Sequence, residues 1–194
     1  MKTIRYIFPI IAVLFLASCE VDDDGFNNAQ YIQAQNLVTI GVQPTYAVND
    51  LLNVAAVIPN LLTEEGQATP LDIRKTTGDA EMFEFSYVLE KKSVEGTWEF
   101  VDLTGNFDQI QGEANVGSFV QGFATYNPNT NSYLFSGGIR LAQTGEYRLS
   151  FGYNSPYPDR VEIVSDSKND NIILNIFSTV NSIDSGGFYS FTVN

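Results

Sequence analysis

Histidine is absent from the 194 residues, and cysteine occurs once. Without imidazole there is no Ser-His-Asp triad, no histidine proton shuttle and no imidazole ligand for a metal. A single thiol allows neither an internal disulfide nor a thiolate zinc cluster. Cations are scarce as well: 10 Lys and Arg stand against 23 Asp and Glu, a formal net charge of -13. A surface of that sign repels phosphate backbones and speaks against nucleic acid as a partner. No G-x-S-x-G, P-loop or dinucleotide fingerprint occurs.

What remains is material for a core. Hydrophobic residues make up 44% of the chain and charged residues only 17%, so disorder throughout is excluded. Phe (14) and Tyr (10) greatly outnumber Trp (1) and Met (2), a balance that leans toward strands.

The first residues read MKTIRYIFPIIAVLFLASC. Lys2 and Arg5 form a positive leader, and Ile7 to Leu16 is an apolar run broken only by Pro9. At ~10 residues the run is about half the length a bilayer-spanning helix needs. Leu16-Ala17-Ser18-Cys19 follows, with small residues directly before the sole thiol. The pattern resembles the lipobox of bacterial lipoproteins. The resemblance implies a signal peptide over 1–18, cleavage before Cys19, and a diacylglyceryl thioether plus an acylated amine on Cys19. Several acyl chains at ~0.8 kcal/mol per buried CH₂ would hold the protein at a membrane without a spanning helix. Apart from that covalent lipid no cofactor is expected, and no metal site.

Glu20, Asp22, Asp23 and Asp24 come next. An acidic run just after the lipidated cysteine resembles the export signal that sends lipoproteins of Bacteroidota to the outer face of the outer membrane; the bland reading is a solvated spacer. Loss of Lys2 and Arg5 leaves 8 basic against 23 acidic residues, a formal charge of -15. Residues 19–35, rich in Asp, Asn, Gln and Gly, read as a flexible tether. Residues 36–194 read as one folded domain.

Within that domain period-two alternation dominates. In Met82 to Glu90, Phe83, Phe85, Tyr87 and Leu89 share one face. Glu146 to Phe151 places Tyr147, Leu149 and Phe151 inward. Tyr133 to Leu141 alternates around Gly137, which marks a bulge or a close backbone approach. Further strands are expected near 37–42, 51–58, 97–103, 116–126, 171–178 and 188–193, with helix as the competing reading for Leu51 to Leu62. About nine strands, and no long amphipathic helix, predict an all-β, antiparallel β-sandwich. Thr144-Gly145-Glu146-Tyr147 resembles the corner of immunoglobulin-like sandwiches, in which a Tyr at a strand start bonds its hydroxyl back to nearby backbone.

Three aromatic residues are candidate ligand contacts. Trp98 lies just past a turn and either stacks on a sugar ring or fills the core beside Phe100. Tyr153 and Tyr157 lie in Tyr153-Asn154-Ser155-Pro156-Tyr157-Pro158-Asp159, a Pro-stiffened loop suited to binding. Asp166 to Asn171 is a poor Ca²⁺ loop, because Lys168 stands where an oxygen ligand is needed. The expected function is a non-catalytic surface lipoprotein that binds a glycan or an outer-membrane protein partner; the resemblance to lipoproteins of Bacteroidota implies an accessory of the kind that accompanies nutrient uptake. The alternatives are a carboxylate-dependent glycan hydrolase, and a structural or adhesive surface protein. Cys19→Ser tests the anchor: membrane fractions should lose the protein, and unchanged pelleting with envelopes would refute lipidation.

Overall fold

Alternating apolar residues become pleated strand wherever one face finds a core to cover. The structure, a computed structural model, describes residues 28–64, 66–152, 157–167 and 172–194. The leader, Cys19, Glu20, Asp22, Asp23 and Asp24 lie outside the described residues, as do Tyr153 and Lys168 to Asn171.

The chain begins with β1 (Ala29–Gln35), β2 (Val38–Ile40) and β3 (Leu51–Pro59). A short pair, β4 (Leu61–Leu62) and β5 (Leu71–Asp72), precedes one helical turn, α1 (Ile73–Thr76). Then come β6 (Met82–Lys92), β7 (Trp98–Phe100), β8 (Phe107–Gln111), β9 (Glu113–Val116) and β10 (Val120–Asn127). The last five are β11 (Ser132–Arg140), β12 (Gly145–Ser150), β13 (Arg160–Ser165), β14 (Ile173–Thr179) and β15 (Phe188–Val193).

Hydrogen-bonded neighbours run β1-β14-β13-β6-β10-β11-β3-β2, while β7 and β12 branch off at β6 and β15 pairs with β12. The branching comes from the 11-residue length of β6. Its first half pairs with β10 and β13, placing Phe85 opposite Gly122 and Glu84 opposite Val164. Its second half pairs with β12 and β7, placing Leu89 opposite Leu149 and Glu90 opposite Phe100. Twist accumulates along so long a strand, so partners matched at one end diverge at the other. New strands then take up the backbone groups left behind. The sheet curls until the segment after β2 reaches β15: Tyr46 bridges Val193, and the Asn194 N–H donates to the Tyr46 carbonyl at 2.9 Å.

The core fills the inner face of this curl. Phe83, Phe85, Tyr87 and Leu89 are buried as the alternation requires, together with Tyr133, Phe135 and Ile139. The rings meet edge to face, Phe83 on Tyr133 at 4.7 Å and Phe85 on Phe135 at 5.2 Å, the arrangement their quadrupoles favour. Leu51 to Leu62 resolves as strand through Pro59, with Leu52, Val54, Ala56 and Ile58 buried.

The all-β class holds, with differences in detail. β1 pairs parallel to β14, Ile32 opposite Ile176, so the sheet is mixed rather than purely antiparallel. β1 also occupies part of the stretch expected to be tether. Its short alternation buries Ile32 and Ala34, and seven polar-rich residues carry too little pattern to be read in isolation. β8, β9 and β13 are additional strands. β8 and β9 are polar and mostly exposed, whereas Val161 and Ile163 give β13 a legible inner face.

Two glycines sit where the space of a Cβ is already taken. Gly137 sits at a register shift between β8 and β11, and the Phe107 ring occupies the space a Cβ would fill, so it is both bulge and close approach. Gly112 lies between β8, which pairs with β11, and β9, which pairs with β10. Its φ is +75°, and a Cβ would lie 2.5 Å from the Phe123 carbonyl oxygen and 2.9 Å from that of Leu134. Neither oxygen belongs to a flexible side chain. Gly112→Ala should therefore cost about 2–4 kcal/mol, strain plus overpacking, measured by denaturant unfolding; a loss below 0.5 kcal/mol, the range of an ordinary surface change, would contradict this packing.

Candidate functional site

β12 ends against Val88 in the second half of β6, whereas β13 meets the first half only through its last residues, Val164 and Ser165 opposite Glu84 and Phe83. Of the described residues between these two strands, Phe151 lines one groove, Tyr157 a second, and Gly152 with Pro158 a third.

The first opens where β13 and β6 part company. It encloses about 290 Å³ and is lined by Glu84, Phe119, Gln121, Phe151 and Glu162, among others. Because the strands splay here, it reaches the rings of Phe85 and Phe151, which belong to the core. Asn115 donates to Gln121 (3.2 Å), and Gln121 donates to the Glu84 carboxylate (2.9 Å), which fixes the amides on the outer side of β9, β10 and β6. Phe119 is 45% exposed at the rim. Burial holds the Glu162 carboxyl above its usual value. Two carboxylates thus share one groove, one of them disposed to keep its proton.

The second groove, about 300 Å³, lies on the neighbouring strands. Glu162 stands opposite Phe177 in the β13–β14 ladder. Phe177 is covered by two tyrosines, Tyr31 stacked at 6.2 Å and Tyr157 edge-on at 5.2 Å. Tyr31 and Tyr157 remain 65% and 46% exposed, so their outer faces form an aromatic surface.

The third groove, about 310 Å³, lies over the second half of β6. Arg148 of β12 faces Glu90 of β6 and binds it bidentately, Nε to Oε2 at 2.6 Å and Nη2 to Oε1 at 3.0 Å. The guanidinium is flanked by two rings, its Cζ 4.0 Å from the Phe188 centroid and 4.5 Å from that of Trp98. Phe100, Phe188, Gly152 and Pro158 complete much of the lining.

Of the three candidate aromatics, Tyr157 is a groove residue. Trp98 is half-buried on the outer face: it neither joins the core nor lines the groove, and its ring supports Arg148. The reason is register. Trp98 lies opposite Lys92 and Phe100 opposite Glu90, which puts both rings on the side of β6 away from Leu89. Tyr153 lies outside the described residues, and so do Cys19 and the acidic run after it. Sequence reasoning missed Glu84, Glu90, Arg148, Glu162, Tyr31 and Phe188. Each is the outward member of an alternating pair, a position that looks like ordinary solvated surface until neighbouring strands are known. Compared with protein-family models, curated proteins and solved structures, the chain matches none.

Glu162 offers a direct test of the first groove. With its proton affinity raised on folding, the native state binds more protons than the unfolded chain, so stability falls as pH rises from the ordinary value of 4.5 through the raised one. Glu162→Gln removes that loss. Thermal melts should show the variant gaining on the parent as pH increases to neutrality; parallel pH profiles for the two proteins would contradict burial of this carboxyl.

Proposed function

We propose that this chain is a lipid-anchored lipoprotein of the outer membrane, facing the cell exterior, whose β-domain is a non-catalytic accessory module that binds glycan. The anchor reading rests on Leu16-Ala17-Ser18-Cys19 and the acidic residues after it. The immunoglobulin-like reading of the body is supported by its corner: the Tyr147 hydroxyl donates to the Gln143 carbonyl at 2.9 Å, four residues upstream. One observation carries the binding reading. Three ring-lined grooves are lined in part by described residues between β12 and β13, and each joins apolar faces to hydrogen-bonding groups. Small-ligand sites are built that way, though usually from about 300 Å³ upward, so one or two sugar units per groove is the fitting scale.

A hydrolase is the second reading, favoured by Glu84 and Glu162 in one groove with the Glu162 carboxyl raised. Glu162, its proton affinity raised by burial, would serve as proton donor to a leaving group and Glu84 would be the second carboxylate.

The mature lipoprotein in detergent, offered a panel of polysaccharides and a pull-down from outer-membrane extract, separates these readings. Retention on polysaccharide without release of reducing ends is expected. Reducing ends that vanish in Glu162→Gln would favour the hydrolase, and capture of an outer-membrane protein alone would shift the reading to a protein partner.

A further inference from the structure

We propose that the third groove is a built site for a neutral pyranose, with the Glu90–Arg148 pair reading a pair of hydroxyls and the rings of Phe100 and Phe188 flanking the sugar. This deepens the glycan reading and rests on it.

Chemistry comes first. Glu90 is only 9% exposed, yet it lines an open groove together with the arginine it binds. A largely buried ion pair is a weak source of stability, since desolvation offsets much of its attraction. As a recognition element it is well suited. The carboxylate has about four acceptor directions and the guanidinium five donors, and their mutual contact uses two on each side. The remainder can accept from and donate to adjacent sugar hydroxyls. The pair is neutral as a unit, and the chain around it is strongly acidic, so a uronate or sulfated sugar would be repelled.

Rigidity comes second. Arg148 is held between Trp98 and Phe188 as well as by Glu90, so little rotamer freedom is left to lose when a ligand arrives. Phe188 is itself fixed. The Asp184 carboxylate accepts from the backbone N–H of Gly186 (2.8 Å) and of Phe188 (3.0 Å). Gly187, at φ +85°, packs against the Pro158 carbonyl where no side chain fits. That contact ties the turn before β15 to Pro158, and both line the groove. Phe100, on β7, is 50% exposed and presents ring area across from Phe188 on β15, with β6 and β12 between them. Trp98 acts here as a positioning residue for Arg148.

The test uses mature lipoprotein in detergent, with a neutral glucan, mannan and galactan as probes and polygalacturonate as the acidic control, read by affinity electrophoresis and calorimetry. At least one neutral polymer should bind, with little change at about 1 M salt, where the screening length is ~3 Å. Phe100→Ala, a surface change that leaves the fold intact by its melt, should weaken binding about tenfold or more. Glu90→Gln combined with Arg148→Gln, which leaves no lone buried charge, should do the same. If both variants bind as the parent does while Tyr157→Ala abolishes binding, the glycan reading stands and this site is overturned. Binding confined to polygalacturonate, or abolished by salt, overturns the neutral-ligand assignment. If the parent binds none of the polymers, the glycan reading fails and this proposal with it.

Discussion

The exchange of partners along β6 is the constraint on which the rest of this structure depends. Backbone N–H and C=O groups must be satisfied along the whole of Met82–Lys92. Twist prevents β13 from following it past Glu84 and Val164, so β12 takes over at Val88 and continues to Lys91. Curl, core and grooves are consequences. The inner face of β6 closes around rings, and its outer face is left with a fork between β12 and β13.

That fork explains why polar groups gather where they do. On a flat two-sided sheet, the outer positions of β6 would be dispersed among solvated neighbours. Here Glu84 lies where the strands part, and Glu90 lies where β12 and β7 both approach. The first groove is a gap in the ladder that reaches core rings, and burial there raises the Glu162 carboxyl. The third is a continuous four-strand surface on which a partly buried pair is locked by flanking aromatics. One strand thus supports two chemically different environments on the same side.

Rigidity in these grooves is supplied by backbone features. Gly187 admits the Pro158 carbonyl, Asp184 caps the turn that holds Phe188, and Gly112 lets β8 and β9 approach the ladders of β11 and β10. The parallel attachment of β1 brings Tyr31 to Phe177, adding an aromatic surface beside Glu162. A segment rich in Gln enters the sheet because Ile32 and Ala34 find apolar partners and its backbone finds an open edge.

Local pattern was enough for the class of fold and for most of the inner face. Phe83, Phe85, Tyr87, Leu89, Tyr147, Leu149 and Phe151 announce their burial by alternation alone, Gly137 announces a crowded backbone, and the Tyr147 corner is readable from four residues. The candidate site was legible only at Tyr157. Glu84, Glu90, Arg148 and Glu162 are outward residues, and outward residues carry no periodic signature of their own. Trp98 is the clearest case: alternation with Phe100 says that the two rings share a face, and it cannot say which. Sequence determines which residues lie on the same side of a strand, because that follows from a two-residue repeat. Which strands stand beside each other, and therefore which side chains meet, was decided by long-range pairing and twist, in which residues such as Glu90 and Arg148, 58 positions apart, become neighbours.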